Sequence, residues 1–207
     1  MFIFLHGYNS NGDAMKILDG AFKKIAPKNS VFLYPDAPFK VINEDNKYCW
    51  FPVVLGDNPE LINEELVFES MNQAMPYLSN YLKQSLEKYV NFDYKDIILV
   101  GFSQGAVFSL HFSLKLKQKL CGVISLSGGL ANPDNFISKK NVNKNKILLI
   151  HGLNDKILPP HLTIKADKEL KQAKFDVETH LLDNTKHLIT PEAIKISSNF
   201  IKNICNY

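Results

Sequence analysis

An unbroken apolar run at residues 97–100 leads directly into Gly101-Phe102-Ser103-Gln104-Gly105 and then into a helical period, Ala106, Val107, Leu110 and Leu114. This strand–turn–helix setting is the one in which a G-x-S-x-G sequence forms a nucleophile elbow. The small residues at 101 and 105 let strand and helix approach closely, and the turn lifts the serine hydroxyl above a sheet. A helix N-terminus beneath that hydroxyl favours negative charge developing there.

The rest of the chain keeps the same rhythm. Residues 2–5, 31–34, 97–100, 123–126, 147–150 and 177–182 read as strands. Most are short continuous apolar runs, the pattern of a parallel sheet covered on both faces. Helical periods separate them: Met15, Leu18, Phe22 and Ile25; Met71, Met75, Leu78, Leu82, Leu86 and Tyr89; Leu162, Ala166, Leu170 and Ala173. Pro76 is expected to kink or restart the second of these helices. Thr190-Pro191-Glu192 has the order N-cap, first-turn proline, early acid, and opens a terminal helix through Ile194 and Ile201. Residues 34–63, with Pro35, Pro38, Pro52 and Pro59, read as an irregular excursion over the sheet edge, and residues 141–146 as a polar loop. The expectation is a single α/β domain spanning 1–207, a mostly parallel sheet of about six or more strands with helices on both faces.

Composition removes several classes. Net charge is +3, and every basic residue is a lysine, scattered along the chain. Nucleic-acid recognition, which favours arginine forks and a basic stripe, is not expected. Cys49, Cys121 and Cys205 have neither metal-ligand nor disulfide spacing, and their odd number fits a reducing compartment. The apolar N-terminal run ends after residue 5. It is too short for a signal peptide or a membrane span. The expectations are a cytoplasmic protein without stable membrane insertion, acting as a monomer or weak homodimer.

A serine hydroxyl needs a neighbouring base, and the base a carboxylate to orient it. On this architecture the chain order is serine, acid, histidine. His187 follows the last strand and precedes the terminal helix, on a loop that should overhang the strand ends. His180 falls inside a strand pattern, and His151 ends its strand beside Gly152 and shapes the acid loop. Asp155, just past the 147–150 strand, is favoured over Asp134, Asp176 and Asp183. Asp176 lies at the wrong end of its strand, and Asp183 is so near His187 that a tight reversal would be needed. The backbone N–H groups of Gln104 and of Tyr8, on the loop after the first strand, are the candidate oxyanion donors. Gly7 would allow close approach there.

Together these pieces resemble the phospholipase/carboxylesterase family that includes acyl-protein thioesterases. The resemblance rests on Leu5-His6-Gly7, Tyr34-Pro35-Asp36-Ala37-Pro38, Trp50-Phe51, Gly101 to Ala106, Ser125-Leu126-Ser127-Gly128, His151-Gly152 with Asp155 and Pro159, and His187 with Pro191-Glu192. It implies an α/β-hydrolase fold and a Ser103–His187–Asp155 triad. It also implies Tyr8 and Gln104 as oxyanion donors and Trp50 and Phe51 beside a substrate groove. The substrate class would be a small-molecule or acylated ester or thioester, with no metal or organic cofactor. Asn9 stands where the family usually has a second glycine, and Lys186 where it usually has a glycine before the histidine. A peptidase or lactone hydrolase on the same fold, or a non-catalytic binding protein, are the competing readings.

Overall fold

The computed structural model describes residues 1–52, 64–131 and 144–205. Six strands form one sheet: β1 (Phe2–Leu5), β2 (Phe32–Leu33), β5 (Ile98–Phe102), β6 (Gly122–Leu126), β7 (Lys146–Gly152) and β8 (Asp176–Leu182). Their order is β2-β1-β5-β6-β7-β8, and every pair is parallel. Two further strands, β3 (Phe39–Lys40) and β4 (Tyr48–Cys49), make a small antiparallel pair within the stretch read as irregular.

Alternation along each strand divides the core into two layers. Phe2, Phe4, Ile98, Val100, Ile124, Leu126, Leu148 and Ile150 face one side. They are covered by α1 (Gly12–Met15), α2 (Asp19–Ile25) and α6 (Pro191–Cys205). Ile3, Leu5, Leu99, Val123, Ile147 and Leu149 face the other side. There α3 (Glu64–Lys88), α4 (Gln104–Lys115) and α5 (His161–Gln172) cover them. Burial on both faces explains why these strands read as continuous apolar runs rather than as alternating ones.

Pro76 does not divide its helix: α3 continues across it. An interior proline costs about 3 kcal/mol. Met71, Ala74, Leu78 and Leu82 on the same helix are all fully buried. Each large apolar side chain so buried contributes about 1.5–3 kcal/mol, so the buried face outweighs the missing hydrogen bond. At the start of α6 the Thr190 hydroxyl accepts the Ala193 N–H at 3.1 Å, and Pro191 occupies the first turn.

Parallel strands end on a common rim, where ligands of open α/β sheets collect. Tyr8 follows β1, Ser103 follows β5, Asp155 follows β7 and His187 follows β8, so all four lie at that rim.

Candidate active site

Ser103 sits between β5 and α4 with φ 54° and ψ −120°, a backbone state that costs on the order of 1–3 kcal/mol for a residue with a side chain. The turn is held by the Ser103 N–H donating to the Leu126 carbonyl at 2.9 Å, and by the Ala106 and Val107 N–H groups donating to the Ser103 carbonyl. Its two glycines are required by contact. A Cβ on Gly101 would lie 2.3 Å from the Gly105 carbonyl oxygen, and one on Gly105 would lie 2.1 Å from that of Leu5. Strand β1, the elbow and α4 therefore meet with no room for a methyl group.

The acid and base loops are tied to each other before their side chains meet. Leu153 N–H donates to the Leu182 carbonyl and Asn154 N–H to that of Thr185, both at 2.9 Å. This brings Asp155 against His187. His187 Nδ1 lies 2.6 Å from Asp155 Oδ2, and His187 Nε2 lies 2.8 Å from Ser103 Oγ. Asp155 Oδ1 accepts the N–H groups of Ile157 at 2.9 Å and Leu158 at 3.0 Å. Burial alone would raise the pKa of this carboxyl. The His187 ring and the two backbone donors outweigh that effect and hold it below its ordinary value, so it stays ionised. An ionised, acceptor-only partner requires the His187 proton on Nδ1, which leaves Nε2 free to accept from the serine hydroxyl.

Asp176 opens β8 at the far end of the strand from this rim, and the Asp183 carbonyl accepts the Thr185 hydroxyl. Asp134 lies outside the described residues. His180, on β8, pairs with Glu178 at 2.7 Å.

Gln104 is the first residue of α4, where a backbone N–H has no acceptor within the helix. Tyr8 lines the same cavity as Ser103 and His187. Asn9 has φ 55°, a left-handed state that asparagine tolerates, so the loop keeps its course without a second glycine.

Trp50 and Phe51 are placed differently from the groove expected of them. Both are buried, Trp50 completely, and neither lines the cavity beside Ser103. Trp50 stacks on Phe108 with ring centroids 5.2 Å apart, its Nε1–H donates to the His6 carbonyl at 2.9 Å, and its backbone N–H donates to Gln104 Oε1 at 2.8 Å. Gln104 Nε2 in turn donates to the Phe51 carbonyl at 2.7 Å. The pair braces the elbow from beneath. A tryptophan that spends its N–H on a carbonyl 44 residues away gives no local sign of it in the sequence.

The cavity beside Ser103 has a volume of about 890 Å³, and Ile17, Leu18, Phe102, Ile157, Leu188 and Ile194 are among its walls. Sequence reasoning missed these residues. The signal available was the apolar Leu188-Ile189 pair directly after His187, on a loop where polar residues are the norm. Among the described residues no three or more His, Cys, Asp or Glu gather to hold a metal, and no helix is long and apolar enough to cross a membrane.

Comparison with known proteins gives concordant findings. A sequence profile described as phospholipase/carboxylesterase matches residues 1–205. Acyl-protein thioesterase 1 of Saccharomyces cerevisiae is 27% identical, with 97% of this chain and 90% of that protein aligned. Carboxylesterase SOBER1 of Arabidopsis thaliana is 26% identical, with 97% and 88% aligned. Among solved structures, that of esterase PE8 superposes with a TM-score of 0.89 at 27% identity, covering 98% of this chain and 91% of that one.

Proposed function

The chain belongs to the phospholipase/carboxylesterase family of α/β-hydrolases and hydrolyses carboxylic esters or thioesters, and we propose that Ser103, His187 and Asp155 carry that reaction. The observation that carries the proposal is the unbroken relay from Ser103 Oγ to His187 Nε2, at 2.8 Å, and from His187 Nδ1 to Asp155 Oδ2, at 2.6 Å.

In this reading His187 takes the hydroxyl proton as Ser103 Oγ attacks the acyl carbonyl. The negative charge that forms on the carbonyl oxygen is held by the N–H groups of Tyr8 and Gln104. His187 then gives its proton to the leaving alcohol or thiol, and an acyl-enzyme remains. Water enters with His187 again as base, and the carboxylic acid leaves. Asp155 keeps the imidazole in its Nδ1–H form and stabilises the imidazolium of each step.

The acyl chain occupies the cavity walled by Ile17, Leu18, Ile157 and Ile194. Its volume of about 890 Å³ is near the upper end of small-molecule sites, enough for more than a short acyl group. Three free cysteines support a cytoplasmic setting.

The test is pre-steady-state hydrolysis of p-nitrophenyl esters and acyl thioesters of increasing chain length. An acyl-enzyme gives a burst of one product equivalent per enzyme, absent in Ser103→Ala, and kcat/KM rises beyond the acetate ester. A folded wild type that turns over no ester or thioester would contradict the proposal.

A further inference from the structure

His6 lies directly before the loop that carries Tyr8 and is fully buried. Both of its ring nitrogens are engaged. Nε2 is 3.0 Å from the backbone nitrogen of Ala37, and Nδ1 is 2.7 Å from the Gly7 carbonyl oxygen. A backbone N–H can only donate, so Nε2 is the acceptor; a carbonyl can only accept, so Nδ1 carries the hydrogen. The two contacts thus select one tautomer of a neutral ring. Burial acts in the same direction by disfavouring the imidazolium and lowering the pKa of His6. A ring closed off in this way does not exchange protons with a substrate.

The Gly7 carbonyl is one end of a peptide group whose other end is the Tyr8 N–H. A trans peptide is planar, and its C=O and N–H point in opposite directions. Holding the carbonyl towards the His6 ring therefore turns the Tyr8 N–H away from that ring. Gly7 itself lies against the nucleophile: a Cβ built on it would be 3.4 Å from Ser103 Cβ.

We infer that His6 is a positioning residue that sets the direction of the Tyr8 N–H, by locking the Gly7–Tyr8 peptide through Nδ1–H while Ala37 fixes the tautomer. The inference rests on the hydrolytic reading above, in which Tyr8 N–H is an oxyanion donor. It gives one purpose to three separated sequence features. Ala37, within Tyr34-Pro35-Asp36-Ala37-Pro38, supplies the N–H that selects the tautomer. Trp50 holds the His6 carbonyl through its indole N–H and receives Gln104 Oε1 at its own N–H. The supports of both oxyanion arms are thereby joined through Trp50.

Two substitutions separate the two ring nitrogens. In His6→Asn the side-chain amide nitrogen takes the place of Nδ1 and can still reach the Gly7 carbonyl. In His6→Gln the amide oxygen takes the place of Nε2 and can still accept from Ala37, but nothing reaches Gly7. The readouts are thermal unfolding, kcat and KM on a p-nitrophenyl ester, and the inhibition constant of a trifluoromethyl ketone, which forms the oxyanion adduct. We expect His6→Gln to lose about 10²-fold in kcat with KM little changed and inhibitor binding weakened in parallel, the signature of a misplaced oxyanion donor. We expect His6→Asn to retain most of kcat. Folded variants that match wild type, or a His6→Asn that is the more impaired of the two, would overturn the inference. Should neither variant fold, 15N NMR of the wild-type histidines decides: a protonated Nδ1 and unprotonated Nε2 on His6 supports it, and the opposite tautomer overturns it. An inactive wild type would instead sink the hydrolytic reading, a result visible before any His6 variant is made.

Discussion

His151 Nε2 lies 3.1 Å from Asp155 Oδ2, the same oxygen that meets His187 Nδ1 at 2.6 Å. The Leu158 carbonyl is also 2.8 Å from this nitrogen. Both neighbours only accept, so Nε2 carries a hydrogen that points at the acid loop. The other ring nitrogen is 2.6 Å from the Thr163 hydroxyl on α5, and that hydroxyl also reaches the Gly128 carbonyl. The acid loop, α5 and the turn after β6 are joined through one buried imidazole. Asp155 is thus held at both oxygens: His187 and His151 share Oδ2, and the backbone N–H groups of residues 157 and 158 hold Oδ1.

His151→Phe keeps the ring volume but removes both nitrogens. It takes from the part-buried Leu158 carbonyl its partner on that ring, at about 1–3 kcal/mol for a group left unsatisfied, while the Thr163 hydroxyl keeps the Gly128 carbonyl. The expected result is a lower unfolding temperature and a kcat reduced more than KM, because Asp155 loses a restraint rather than the substrate a contact. Chemical denaturation and steady-state kinetics on the same preparation check both.

The glycines of the elbow and of α2 give a contrast. Gly105→Ala puts a methyl group 2.1 Å from the Leu5 carbonyl oxygen, inside the core. The loss is expected to exceed about 4 kcal/mol, in the range seen for overpacked or strained core sites. Gly20, inside α2, has nothing within 4 Å of a Cβ position, and Gly20→Ala should stabilise by about 0.5–1 kcal/mol. Urea midpoints of the two variants should move in opposite directions.

Acid should destabilise the fold before it protonates most carboxylates. Burial lowers the pKa of His6 and His151, and that of His111 falls to about 3, with the Lys115 charge adding to the effect. Each folded-state value lies below the unfolded one, so between them the unfolded chain binds the extra proton. Stability is then fully present above pH of about 6.5 and is lost as pH falls towards the folded-state values. For His111 the window runs down to about 3, and at pH 5 its share is on the order of 2 kcal/mol. Asp155, also held low, adds a loss only at more acid pH. Denaturant unfolding between pH 8 and pH 5 should show this decline, and His111→Phe should reduce its slope; a stability independent of pH over that range would be incompatible with neutral buried histidines.

Much of the architecture was legible because parallel strands covered on both faces must be apolar throughout, as residues 98–101 and 147–150 are. The sharp turn at residue 103 was legible through the glycines that steric contact demands on either side. That His187 and Asp155 would stand beside Ser103 could be expected from chain order, because both follow strands that end at the same rim. What could not be read was tertiary. The depth of Trp50 depends on His6 and Gln104, partners 44 and 54 residues away. The continuity of α3 through Pro76 depends on the core its apolar face enters. The two-residue strands β3 and β4 are too short to leave a period.

Whether Ser103 is a nucleophile activated by the His187–Asp155 pair is read by intact-protein mass spectrometry after reaction with a fluorophosphonate. Wild type should take up one phosphonyl group, mapped to the peptide containing Ser103. Labelling should be abolished in Ser103→Ala and slowed by several orders of magnitude in Asp155→Asn, which leaves the imidazole in the wrong tautomer. A folded wild type that takes up no label, or a Ser103→Ala variant labelled as fast as wild type, would rule out Ser103 as that nucleophile.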